Sequence, residues 1–116
     1  MNKSYGKKAE WEKLTPGRRR RLRQILKKLE GYEPSKVILF GSFARNESDE
    51  LSDIDLVIIK DTEEDFLERI RRVLDELDLS KAIDILVYNP AEFLNMRERG
   101  NAFIEKIERE GIVLYG

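Results

Sequence analysis

Three aspartates and a glycine–serine pair are the residues of this sequence whose types and spacing point to chemistry. The glycine and serine directly follow a short apolar run, and residues 43–52 separate them from an Asp-Ile-Asp that opens a second apolar run. A single aspartate lies within a third apolar run. Asp-x-Asp alone is a common pattern, whereas this joint pattern is much more specific. The five residues are Gly41, Ser42, Asp53, Asp55 and Asp84.

The expected strand pairing would bring these residues to one edge of a sheet. Residues 37–40, 53–60 and 82–88 are predicted strands, because each is a short apolar run. The first two are joined by a short connection and are expected to be antiparallel. The second and third are joined through a helix and are expected to be parallel, with a right-handed crossover. Asp53 and Asp55 are two apart on a strand and therefore face the same side.

Three carboxylates at one edge indicate a site for a divalent cation. Asp84 lies in a run apolar enough to be core, where an unpaired carboxylate would cost roughly several kcal/mol. Oxygen ligands alone select a hard ion such as Mg²⁺ or Mn²⁺. Asp53, Asp55 and Asp84 are therefore the predicted metal ligands and catalytic residues. In the alternative without a metal, Asp53 would cap a turn after Ser52, and Asp84 would pair with a buried arginine.

Composition limits what other chemistry is available. The 116 residues carry 22 basic and 23 acidic side chains, a net charge of −1, which does not indicate a general nucleic-acid binder. The chain has no cysteine and no histidine, so disulfides, thiolate metal sites and histidine catalysis are excluded. It shows no signal peptide and no membrane-length apolar run. A cytoplasmic protein that does not enter a membrane is expected.

The remaining patterns predict a mixed α+β fold, a small mixed sheet flanked by helices. The order of elements is α-β-β-α-β-α-α-β, and residues 1–116 are expected to form a single domain. Residues 1–14 are expected to form a loose helix or a flexible arm. Helices are predicted over 16–30, 63–77, 90–95 and 98–110, and a last strand over 112–114.

Two stretches of the chain resemble the signature of the minimal nucleotidyltransferase (MNT) family, small members of the DNA polymerase beta superfamily. They are Val37–Arg45, read as VILFGSFAR, and Ser52–Val57, read as SDIDLV. The similarity covers roughly residues 18–116. Many members have a glycine where this chain has Asn46, and asparagine tolerates left-handed backbone angles better than most residues.

The resemblance implies a nucleotidyltransferase fold and the transfer of AMP from ATP with two Mg²⁺ ions, or Mn²⁺ in their place. Asp53 and Asp55 would bridge the metals, and Asp84 would complete the site. Gly41, Ser42 and Arg45 would hold the phosphates. An ordinary ion pair of Arg45 with Glu47 or Asp49 is the alternative for that side chain.

Family members of this length are similar to the antitoxins of HEPN–MNT toxin–antitoxin pairs. The implied partner is a helical HEPN-type toxin, and the implied acceptor is one of its tyrosines. A non-catalytic antitoxin that binds its toxin, and a small-molecule nucleotidyltransferase that works as a homodimer, are the alternatives. The arginine run at residues 18–23 is expected to be mostly solvated, and a docking surface for an acidic protein or RNA is its other interpretation.

Overall fold

In the part of the chain that the structure describes, four strands form one mixed sheet whose pairing agrees with the expected topology. The computed structural model describes residues 12–47, 53–77 and 83–116. The strands lie in the order β3-β2-β1-β4. The β1–β2 and β1–β4 pairs are antiparallel, and the β2–β3 pair is parallel, so both predicted pairings are confirmed. The strands are β1 (Lys36–Phe40), β2 (Ile54–Ile59), β3 (Ile83–Tyr88) and β4 (Ile112–Tyr115).

Each α-helix of the described chain is preceded by a polar residue whose side chain accepts a hydrogen bond from a backbone amide of the first turn. The predicted alternation of helices and strands is confirmed. None of these helices has the length and apolarity needed to cross a bilayer. The helices are α1 (Pro16–Leu29), α2 (Phe66–Glu76), α3 (Pro90–Glu98) and α4 (Ala102–Glu110), with a 3-10 turn over Glu30–Tyr32 after α1.

The predicted helix over 98–110 is wrong in its first turn. The preceding helix continues to Glu98 instead of ending near 95. Gly100 then adopts a positive φ of 73°, which interrupts the helical backbone. The Asn101 side chain accepts a hydrogen bond from the Ile104 amide and starts a new helix. A glycine–asparagine pair therefore separates α3 from α4.

The sheet separates two apolar cores. Leu22 of α1 and Val73 of α2 pack with Leu39 and Leu56 on one face of the sheet. The other core contains side chains of β1, β2, α3, α4 and β4, among them Val57. Because side chains alternate along a strand, Asp55 lies on the α3–α4 face together with Val57. Asp55 therefore belongs to the face of the sheet on which α3 and α4 pack.

A buried arginine links α2 to β3 and α3. Arg69 is 5% exposed, and its Nη1 donates to Glu92 Oε1 at 2.6 Å and to the Val87 carbonyl at 3.3 Å. Its Nε donates to the Glu64 carbonyl at 2.7 Å. The hydrogen bond from Arg69 holds the pKa of Glu92 below its usual range, and the Asn89 amide acts in the same direction. The ion pair compensates the charge of Arg69, which would be unfavourable to bury without a partner.

We expect Glu92→Gln to lower the free energy of unfolding at neutral pH by about 1–2 kcal/mol, because Arg69 stays buried beside a weaker acceptor. The folded-state pKa of Glu92 is lowered, so its stabilisation is present above the ordinary value of 4.5 and is lost as the pH falls through the folded value. Urea unfolding at several pH values measures both effects. Glu98→Gln, an exposed change on the same helix, is the control. Equal losses in the two variants would contradict the role of this ion pair.

Candidate functional site

The segment that follows β1 folds into one helical turn. Gly41 has a φ of 81°, a conformation that glycine adopts without steric cost. The amides of Ala44, Arg45 and Asn46 then donate to the carbonyls three residues earlier, at 3.1, 3.1 and 3.4 Å. Asn46 ends the turn with a φ of 58°, the left-handed conformation that asparagine was expected to tolerate.

Two amides at the start of this turn are available to an anion. The first amides of a helical turn have no partner within the turn itself. Within the described residues, no backbone carbonyl accepts a hydrogen bond from the amide of Ser42 or of Phe43. Successive amides of this kind form a concave site for phosphate oxygens. The turn over residues 41–47, called the anion turn below, therefore offers donors of the type expected from the sequence.

The anion turn lies directly against Asp55. In the β1–β2 ladder, Phe40 is the partner of Asp55, so Gly41 passes beside the Asp55 carboxylate. A methyl group on Gly41 would overlap Asp55 Oδ2. Only glycine therefore satisfies both the positive φ and this close approach. The Gly41 backbone therefore approaches the Asp55 carboxylate more closely than a residue with a Cβ atom could in this arrangement.

Asp55 and Asp84 are neighbours across the parallel β2–β3 pair, as expected. The pKa of Asp55 is raised, first by burial, then by the charge of Asp84, by a hydrogen bond with Asp84 and by the charge of Asp53. The structure thus brings the three acids to one edge of the sheet. The negative charges of Asp53 and Asp84 act on Asp55, which is the most buried of the three acids.

The position of Asp84 differs from the expectation of a core residue. Its side chain is exposed, because β3 is an edge strand and Asp84 lies near its beginning. Within the described residues, the acids also do not converge closely enough to form a ready-made cluster of three metal ligands. Asp55 and Asp84 are the closer pair, and Asp53 lies at the exposed rim.

The donor chemistry nevertheless fits a hard divalent cation. The acids supply carboxylate oxygens, which Mg²⁺ and Mn²⁺ prefer. The raised pKa of Asp55 reflects an excess of negative charge that a cation at Asp55 and Asp84 would offset. The set of three metal ligands stays a prediction, with Asp53 the member that would have to approach the other two.

Arg45 makes the ion pair that was its alternative interpretation. Its Nε lies 2.8 Å from Glu47 Oε1, and its Nη1 lies 3.7 Å from Glu110 Oε1. Both partners are exposed, so the pairs are weak and leave Arg45 able to turn toward an anion. Its phosphate-binding role stays a prediction. Asp49, the other proposed partner, and Ser52 lie outside the described residues.

The arginine run contains contacts that sequence reasoning missed. Arg20 and Arg23 are exposed as expected, but Arg18 is 4% exposed. The guanidinium carbons of Arg18 and Arg21 lie 5.1 and 5.5 Å from the centroid of the Phe43 ring. Phe43 itself is fully buried at the centre of the anion turn. The helical repeat could have predicted the burial of Arg18, because Arg18 lies four residues before the buried Leu22 and shares its face.

Comparisons with known proteins identify the family and the fold of this chain. The family described as "Polymerase beta, Nucleotidyltransferase" matches residues 21–116. A candidate protein adenylyltransferase of Methanocaldococcus jannaschii is 36% identical over 69 residues, which are 58% of this chain and 73% of that protein. The crystal structure of a candidate nucleotidyltransferase from Sulfolobus solfataricus has a TM-score of 0.57 at 18% identity, over 97% of this chain and 87% of that chain.

The structural likeness confirms the fold, and the family match spans most of the chain, including the anion turn and the three acids. The expected nucleotidyltransferase fold is therefore correct. The chain belongs to the polymerase beta nucleotidyltransferase family, and it is a nucleotidyltransferase.

Proposed function

We propose that this protein transfers AMP from ATP to a tyrosine hydroxyl of a partner protein, in a reaction that depends on Mg²⁺. The observation that carries the proposal is the contact of the anion turn with Asp55 at Gly41. A triphosphate held by the Ser42 and Phe43 amides would place its α-phosphate toward Asp55 and Asp84. The relative from M. jannaschii, whose name describes a protein adenylyltransferase, supports a protein as acceptor.

In the proposed reaction, one group of residues binds the phosphates and another residue accepts the proton. The amides of the anion turn and the Ser42 hydroxyl hold the β- and γ-phosphates. The acceptor oxygen forms a bond to the α-phosphorus, the bond from that phosphorus to the bridging oxygen breaks, and pyrophosphate leaves. Asp84, exposed at the edge, accepts the proton of the attacking hydroxyl. Asp53, Asp55 and Asp84 would hold Mg²⁺, which would supply charge neutralisation at the attacking and leaving oxygens.

The open edge of the site favours a macromolecular acceptor. Asp53 and Asp84 are exposed, so an acceptor from outside can reach them. Docking of a folded partner would supply the positioning of the reacting groups. Tyrosine suits this site because its hydroxyl, with a pKa of about 10, is the most acidic of the common side-chain hydroxyls. The proposed partner is a HEPN-type toxin, and the proposed setting is the cytoplasm.

The direct test is transfer of label from ATP to the protein encoded by the neighbouring gene, which the proposal expects to be a HEPN-type toxin. With Mg²⁺ we expect the intact mass of that protein to rise by one AMP, on a tyrosine found by peptide mapping. Asp53→Asn should abolish the transfer, and Asp61→Asn, an exposed acid beyond the end of β2, should leave it intact. If Asp53→Asn inhibits the toxin as well as wild type and no mass changes, the protein acts as a non-catalytic antitoxin.

A second prediction concerns the coupling of metal and nucleotide. Titration calorimetry should show that wild type binds ATP more tightly with Mg²⁺ than without it, because phosphate oxygens complete the metal shell. Asp55→Asn should lose this enhancement. The same change should raise the thermal stability of the metal-free protein, because it removes a carboxylate whose ionised form is disfavoured by burial and by Asp84. Equal MgATP affinity in both proteins would exclude Asp55 as a metal ligand.

The third prediction separates backbone strain from the contact with Asp55. Gly41 and Gly100 both have a positive φ, but only at Gly41 would a methyl group meet another residue. Gly100→Ala should cost about 1–2 kcal/mol of stability for the left-handed backbone and leave ATP affinity unchanged. Gly41→Ala should cost more and also weaken ATP binding, as measured by thermal melts and equilibrium titration. The same ATP affinity in both variants would show that the close approach has no role in binding.

A further inference from the structure

We propose that Arg21 of α1 is a nucleotide-binding residue that contacts the triphosphate tail beside the anion turn. The inference rests on the proposed function, since it takes ATP as the ligand, and it adds a cation from an element outside the motif that carries the family resemblance. The sequence placed Arg21 in a run expected to be mostly solvated. The structure places it against the anion turn, where the charge of Asp53 also acts on it.

The first support is the contact between α1 and the anion turn. Arg18 and Arg21 are three apart on the helix and therefore share a face. Both guanidinium groups lie within 5.5 Å of the centroid of the Phe43 ring, in the range of a cation–π contact. The amide of Phe43 is one of the two donors available to an anion. Arg21 is thus anchored on the residue that would hold the phosphate.

The second support is the position of Arg21 relative to the acids. The charge of Asp53 acts on the Arg21 guanidinium, which is half-buried. Arg21 therefore contacts the anion turn and also lies within range of the charge at the rim of the acidic edge. A triphosphate that reaches from the acids to the turn would come near it. A guanidinium in this place can donate two parallel hydrogen bonds to phosphate oxygens.

The third support is the cost of the buried charge of Arg18, the neighbour of Arg21 on the Phe43 ring. Arg18 is 4% exposed, and its Nε and Nη2 make no hydrogen bond within the described residues. A buried guanidinium with unpaired nitrogens is unfavourable. A polyphosphate at the anion turn would offset part of this charge. The environment of Arg18 therefore favours the state with a bound polyanion.

The anion turn is also attached to the segment that precedes α1. The Asn46 Nδ2 donates to the Lys13 carbonyl at 3.4 Å, and Arg19 Nη1 donates to the Leu14 carbonyl at 2.9 Å. Leu14 is buried in the same core cluster as Phe43. The start of α1 and the anion turn therefore hold each other in place, so that Arg21 has a defined position relative to the Phe43 amide.

The test compares Arg21→Gln with Arg20→Gln, which removes the same charge from an exposed position one residue away. Dissociation constants are measured for MgATP, inorganic triphosphate and AMP. We expect Arg21→Gln to weaken MgATP and triphosphate about 10- to 100-fold, as for loss of a charged hydrogen bond, and to leave AMP nearly unchanged. Arg20→Gln should change all three by no more than about twofold, because its charge is screened by solvent. Arg21→Lys should restore part of the loss.

Two further readouts exclude a purely structural role. Thermal melts should show that Arg21→Gln stays folded. Mn²⁺ alone should bind this variant at least as tightly as wild type, because the change removes a positive charge near Asp53. An Arg21 that served only as the counter-charge of Asp53 would show that gain without any loss of triphosphate affinity. That result would overturn the inference.

The remaining outcomes separate this inference from the proposed function. Equal triphosphate affinity in Arg21→Gln and Arg20→Gln would overturn the role of Arg21, even if wild type transfers AMP to its partner. An equal loss of AMP and ATP affinity would overturn it as well. Selective loss of triphosphate in a protein that never modifies a partner would support Arg21 and exclude protein adenylylation. Failure of wild type to bind any triphosphate would exclude both.

Discussion

The register between β1 and β2 determines the geometry of this site. It places Phe40 opposite Asp55, so that the next residue, Gly41, passes against the Asp55 carboxylate. A slip of one residue would send every side chain of the strand to the other face, and the acids would enter the α1–α2 core. That core, filled by Leu39 and Leu56 among others, is therefore what keeps the acids in place. Packing on one face of the sheet therefore determines where the acids lie on the other face.

Much of this arrangement could be predicted because it follows from local patterns. Apolar runs and connection lengths were sufficient for the element order, both strand pairings and the meeting of Asp55 with Asp84. The exposure of Asp84 could not be predicted, since the apolar residues around it do not tell whether a strand lies at the edge or the centre of a sheet. The start of α4 depended on the backbone angle of Gly100, which sequence periodicity does not report.

The arginine run shows a different limit. Four consecutive arginines carry the same side chain, and only contacts with distant residues give them different environments. Arg18 and Arg21 meet Phe43, which is remote in sequence, whereas Arg20 meets solvent. The composition of α1 therefore shows that the helix is basic, but it does not show which of its arginines lie near the site. The metal ligands and the phosphate contacts remain predictions that rest on the placement of these groups.

The ion pair of Arg69 and Glu92 has a consequence for how the two cores behave together. Arg69 belongs to α2, which covers one face of the sheet, and Glu92 belongs to α3, which covers the other. The bond passes around β3, whose Val87 carbonyl also accepts from the arginine. If the α3 layer opened alone, the buried charge of Arg69 would lose its partner. The two layers are therefore joined into one cooperative unit, and their amides are expected to exchange with solvent deuterium in a shared opening.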